Sequence, residues 1–158
     1  MGDRIPSISA SVSWGEFAAA APELAAEGLR RLAADGPDPL LATVRGDEPP
    51  RLHPVSAAIL DGRLYTFAFG AKRQDLARDG RYALHAHLDP DVPVEFAIRG
   101  RVRVVDDPAE RGSVAARWEF SPDERFGLFE LLIESALVGR RDSAEEWPPR
   151  YKRWTAGG

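Results

Sequence analysis

The sequence predicts a mainly β domain with flanking helices, its strands curled into a small antiparallel barrel. Three observations carry this. Asp61-Gly62 sits between two apolar runs, "RLHPVSAAIL" (51–60) and "LYTFAF" (64–69), and that dipeptide is a strong signal for a two-residue hairpin. Four further strand-like runs lie at 40–45, 81–88, 94–105 and 128–138. Helix signals are confined to the front of the chain and to crossovers, which suits a barrel flanked by helices. Closure also removes exposed strand edges.

Each element has a local cause. Ser13 and Glu16 form a capping-box pattern, and Pro22 suits the first turn of a second helix because no N–H is needed there. Leu24, Leu29 and Leu32 give that helix an apolar side and Gly36-Pro37 stops it, so 13–35 reads as two helical pieces. "LLATVR" (40–45) is the first strand. The turn "GDEPP" and the Asp61-Gly62 hairpin then make three adjacent antiparallel strands. A short helix is expected over 71–79. In "VEFAIRGRVRVV" (94–105), Val102 and Val104 alternate with Arg101 and Arg103 as on a half-exposed strand, and Gly100 marks a bulge or bend. An aspartate cap before Pro108 starts a helix over 108–118. "FGLFELLIESALVGR" contains helix-favouring Leu, Glu and Ala, yet is read as strand over 128–138. The tail "EEWPPRYKRW" is too rich in proline for a helix and too aromatic to hang free, so 141–158 is expected to dock on another surface, while 1–13 is irregular.

Composition narrows the function. The chain has 158 residues, the length of one domain, and no cysteine, which excludes disulfides, thiolate nucleophiles and cysteine metal clusters. A net charge of −4 argues against nucleic acid as a partner, and no apolar run approaches the roughly 20 residues of a membrane span. "MGDRIPSISASVSW" lacks the apolar core of a secretion signal, so the cytoplasm is expected. Lysine occurs only at 72 and 152 among many arginines and alanines, a bias typical of GC-rich bacterial genomes. Ser56 lacks a nucleophile elbow, and the pairs Glu95 with Glu119, Asp106 with Asp107, and Glu145 with Glu146 read as solvated carboxylates. His85 and His87 face one side of a strand. A satisfied or exposed role is the default for them and for His53, and no metal site is assigned.

One stretch carries chemistry. In "LYTFAFGAKRQDLARDGRYALH" (64–85) a strand ends in Gly70 and runs through Lys72 and Arg73 into a helix. A helix start offers free N–H groups and partial positive charge, so these residues suit a phosphate, with Gly70 sparing the ligand a side chain. The alternative is a solvated basic turn.

The run "PRLHPVSAAILDGRLYTFAFGAKRQDLARDGRYALH", continued by "VEFAIRGRVRVVDDPAER", "LFELLIESAL" and "PRYKRW", resembles the pyridoxamine 5′-phosphate oxidase-like, FMN-binding split-barrel family from Trp14 onward. The resemblance implies a six-stranded antiparallel split β-barrel and a homodimer with FMN in an interfacial groove. It implies that Arg51, Leu52, His53, Pro54 and Val55 of one strand and Tyr65, Thr66 and Phe67 of another line the flavin. Lys72 would grip the phosphate with help from Arg73 or Arg51, and the tail carrying Trp154 would close the site from the other protomer.

The implied activity is flavin-dependent oxidoreduction of a small molecule, with hydride moving to or from the flavin and no side chain required as a catalyst. Authentic pyridoxamine 5′-phosphate oxidases carry lysine where this chain has Ser56, Ser-Arg where it has Gly70 and Ala71, and a carboxy-terminal Arg-Leu-x-Pro that it lacks. Vitamin B6 oxidation is therefore not expected. Two alternatives stand beside FMN chemistry: a deazaflavin-dependent reductase, for which Arg73 and Arg78 would supply extra cations, and a non-catalytic flavin or haem carrier, haem being the minor case.

Overall fold

A computed structural model describes residues 10–32, 38–86 and 93–158. The capping box forms as expected: Ser13 Oγ accepts from the Glu16 N–H at 3.2 Å and Glu16 Oε2 accepts from the Ser13 N–H at 2.8 Å, which starts α1 (Trp14–Ala20). Pro22 opens α2 (Pro22–Leu32). The stop at Gly36-Pro37 lies outside the described residues, as do the last two positions of the 81–88 strand.

Eight strands form one curled antiparallel sheet: β1 (Leu40–Thr43), β2 (Arg51–Pro54), β3 (Ala57–Leu60), β4 (Arg63–Ala68), β5 (Arg81–Ala86), β6 (Val94–Val105), β7 (Gly127–Arg140) and β8 (Arg150–Thr155). Two more helices intervene, α3 (Gly70–Arg78) and α4 (Pro108–Ala115). The order is β2-β1-β5-β6-β7-β4-β3, with β8 added to β7. The six expected strands are all present. The 51–60 run divides in two at Val55 and Ser56, and the tail supplies the eighth. The division matters because β2 and β3 lie at opposite ends of the sheet yet are joined by only two residues, so chain continuity holds the curl together.

The Asp61-Gly62 turn has positive φ at both positions, 50° and 71°, the left-handed pair that matches the twist of flanking strands. Gly100 does mark a bulge. Arg99 pairs with Ser135 while Gly100 pairs with Ile133, so the extra residue is Glu134, on the facing strand. There β7 changes neighbours: residues 127–130 pair with β4, Ile133 bridges Val12, and 135–140 pair with β8.

Phe17, Leu41, Leu64, Phe96, Leu131 and Ile133 fill the barrel and are fully buried. Helices α1 and α2 cap it, with Trp14 edge-on to Phe96 and Trp154 of β8 tilted against Phe17 at 5.1 Å. A second cluster, Tyr65, Phe67, Val105, Val114 and Leu128, lies beneath α4. This cluster explains why the expected alternation near the end of β6 breaks down. Beyond the main core, α4 covers the face of Val105, and Val104 is left 45% exposed while Arg103 binds Glu130 and Glu110.

Candidate functional site

The end of β4 and the first turn of α3 open onto a cleft of about 150 Å³. Its walls are apolar, with Pro54 and Phe67 from the strands, Val55 from the β2–β3 junction, Phe69 at the helix entry, and Trp118, Phe120 and Phe126 from the α4–β7 connection. Lys72 is the cation in the lining, and Ser56 and Asp38 complete it. Among the described residues Lys72 has no hydrogen bond or ion pair; its ammonium lies 5.0 Å from the centre of the Phe69 ring. Burial pulls its pKa below the usual lysine value.

The backbone sets this geometry. Phe69 is the N-cap of α3 and contributes no side-chain hydrogen bond, so the first-turn N–H groups are uncapped. Gly70 has φ +61°, and a Cβ there would meet nothing within 4 Å. The left-handed turn is the local requirement that glycine meets here.

The other residues expected at the site separate into groups. Arg51 donates from Nη1 to both oxygens of Asp75, at 2.7 and 2.8 Å. Asp75 also accepts from Thr43 Oγ1 at 2.9 Å and Arg45 Nε at 3.0 Å, and its side chain is fully buried. Burial alone would raise the Asp75 pKa; the hydrogen bonds from Arg51 and Thr43 outweigh it and hold the carboxyl below the ordinary aspartate range. His53 sits beside this network, its Nε2 3.5 Å from Thr43 Oγ1, and burial followed by the Lys72 charge depresses its pKa. Arg73 reaches away from the cleft and donates to the Glu124 and Arg125 carbonyls.

Tyr65 turns toward α4. Its hydroxyl donates to Glu110 Oε1 at 2.7 Å, and burial, then that bond, pushes its pKa up to about 12. The Thr66 hydroxyl donates to the Ser56 carbonyl at 2.9 Å, tying β4 to the β2–β3 junction. Of the expected residues, then, Pro54, Val55, Phe67 and Lys72 meet at the cleft.

Leu52 and Trp154 line a different space, a shallow concavity of about 430 Å³ on the outer face of the sheet. Its floor is small and apolar, with Ala42, Ala83 and Ala97, and Leu52 is 65% exposed beside it. His85 lies on this face and is 3.1 Å from Glu95 Oε1; His87 lies outside the described residues.

Asp38, Ser56, Phe69 and three rings of the α4–β7 connection, Trp118, Phe120 and Phe126, escaped sequence reading as contributors to the cleft. For those three rings the aromatic density of "RWEFSPDERFG" (117–127) is the available signal, since a solvated loop has little use for three large rings in eleven residues.

No family model matches this chain, and no curated protein matches it. Solved structures do. PhzG from Burkholderia lata 383, in complex with tetrahydrophenazine-1-carboxylic acid, aligns over 92% of this chain and 88% of its own at 12% identity, TM-score 0.64. A Clostridium acetobutylicum protein related to general stress protein 26, of the pyridoxinephosphate oxidase family, aligns over 90% of this chain and 96% of its own at 11% identity, TM-score 0.58. A heme binding protein from Mycobacterium smegmatis aligns over 82% of this chain, which spans 57% of that protein, at 19% identity and TM-score 0.59.

Proposed function

We propose that this chain, whose fold is the split barrel of the pyridoxamine 5′-phosphate oxidase-like proteins, binds FMN and serves as a flavin-dependent oxidoreductase for a small molecule. The observation that carries the reading is Lys72: a partly buried lysine with no partner among the described residues, at an uncapped helix start, in an aromatic-walled cleft. A phosphate satisfies the ammonium and the free N–H groups together, and the rings suit a flat heterocycle. When bound, FMN supplies the hydride chemistry. Lys72 and the α3 N–H groups hold its phosphate, and the rings of Phe67, Phe69 and Trp118 exclude water from the adjoining cleft.

A single chain does not complete such a site. Pockets for cofactor-sized ligands run to about 300 Å³ and above, whereas the Lys72 cleft is about 150 Å³. The second surface is best supplied by another copy of the chain, whose outer face offers the alanine floor with Leu52, while the Trp154 ring packs inward against Phe17. Homodimerisation is thus expected, and light scattering should give a particle of twice 17.3 kDa. Leu52→Asp, which puts a charge at the exposed face, should shift it toward monomer. A monomer at every concentration in the unmutated protein would defeat the shared site.

The cofactor test compares FMN with riboflavin. Lys72→Ala removes a charge-assisted bond of roughly 1.5–3 kcal/mol, so FMN affinity should fall about ten- to a hundredfold while riboflavin binding is unchanged. Equal FMN affinity in both proteins would make Lys72 a solvated charge. A deazaflavin with a longer acidic tail would need further free cations near Lys72, and the engagement of Arg73 with backbone carbonyls counts against that alternative.

A further inference from the structure

Residues 116–126, between α4 and β7, have the composition of a loop and the bonding of a fixed element. Loop carbonyls ordinarily face water. Here two guanidinium groups from two helices hold them. Arg73 Nη1 donates to the carbonyls of Glu124 at 2.8 Å and Arg125 at 2.7 Å; Arg111 donates from Nη1 to Phe126 O at 2.8 Å and from Nη2 to Asp123 O at 2.9 Å. Between those anchors Asp123 accepts from the Arg125 backbone N–H at 2.9 Å and from its guanidinium. Gly127 leaves the space that Arg73 uses, since a Cβ there would lie 3.1 Å from Arg73 Nε.

The rings of the same segment land on β4 and the entry to α3. Trp118 stands edge-on to Phe67 at 5.1 Å, Phe126 lies 5.0 Å from Phe69, and Phe120 lies 5.5 Å from Phe126. Lys72 thus shares its cleft with three rings delivered by a loop that its neighbour in sequence, Arg73, holds down.

We infer that Arg73 and Arg111 are positioning residues that clamp an aromatic strap at the Lys72 cleft, and that the strap retains flat aromatic ligands there independently of their phosphate. The retention part rests on the reading of this cleft as the ligand site; the clamp does not. Arg73 accordingly acts through the strap and not as a second phosphate ligand.

Arg73→Met and Arg111→Met keep unbranched side chains and remove the donors. In the ligand-free protein, trypsin should cut after Arg125, which is 78% exposed yet backbone-anchored, about tenfold faster in either variant at unchanged Tm. An unchanged cleavage rate in both overturns the clamp. With flavins, Arg73→Met should weaken FMN and riboflavin by the same factor and speed dissociation of both, whereas a loss confined to FMN overturns the positioning role and makes Arg73 a phosphate ligand. If neither variant folds, tryptic cleavage of the unmutated protein decides: resistance after Arg125 under native conditions supports the clamp, and cleavage there at the rate of an unstructured peptide overturns it. Faster cleavage in the variants together with no flavin binding by the unmutated protein upholds the clamp while removing the cofactor reading.

Discussion

Gly100→Ala is expected to be among the most destabilising single-methyl changes in this protein. A Cβ at that position would overlap the Leu132 carbonyl oxygen and stand 3.0 Å from the Glu134 nitrogen, both backbone atoms of the facing strand. Neither can rotate aside as a side chain could. The strand must separate at the bulge where β7 passes from β4 to β8, so relief in one ladder disturbs the others. Overpacking of a well-filled interior costs about 1–3 kcal/mol and sometimes more, and backbone contact places this case at the upper end. At about 3 kcal/mol, Tm should fall by roughly 6–12 °C for a chain of this size. Thermal or urea unfolding checks it, and a Tm within about 2 °C of the unmutated protein would show that the bulge accommodates a side chain.

Asp75→Asn should produce the second large loss, and this one depends on pH. Asp75 joins α3 to β1 through Thr43, to the following turn through Arg45, and to β2 through Arg51. Removing its charge leaves two arginines facing a neutral amide. Both guanidinium groups are partly exposed and can turn toward water, so the cost is set below that of a fully buried pair, at about 2–3 kcal/mol at neutral pH. The folded-state pKa lies below the unfolded one. The contribution is therefore fully present above the ordinary carboxylate pKa of about 4 and is lost as pH falls through the lower folded value. Urea midpoints across pH should show the unmutated protein converging on Asp75→Asn in acid and separating from it above about pH 5. A constant gap across that range would assign the role of Asp75 to shape alone.

Much of the fold was legible because its causes are local. The capping box at Ser13 and Glu16, Pro22 at a helix start, and the Asp61-Gly62 turn are all settled within a few residues. The strand over 128–138 was read against helical propensity, and β7 extends it to 127–140. Packing on both sides by β6 and by β4 or β8 is what outweighs that propensity.

The site was legible in part. Of the expected residues Lys72, Phe67, Pro54 and Val55 line one cleft, while Tyr65 turns to Glu110, Arg51 to Asp75 and Arg73 to the 116–126 loop. Each of these is decided by a partner far along the chain: Glu110 lies 45 residues from Tyr65, and Glu124 lies 51 residues from Arg73. Residue type and spacing show that a cation or a phenol is available without showing which distant group will claim it.

By itself, then, the sequence determined the order and kind of elements, the hairpin and the location of the bulge. Those follow from backbone preference and periodicity over short spans. Tertiary structure alone decided that the 51–60 run would split to join the two ends of one sheet, that Glu134 and not Gly100 would be the extra residue, and that an aromatic loop would be pinned at the cleft that Lys72 lines. The physical reason is that curling the sheet brings remote groups within bonding distance, and buried charges and carbonyls must then take the partners that closure leaves beside them.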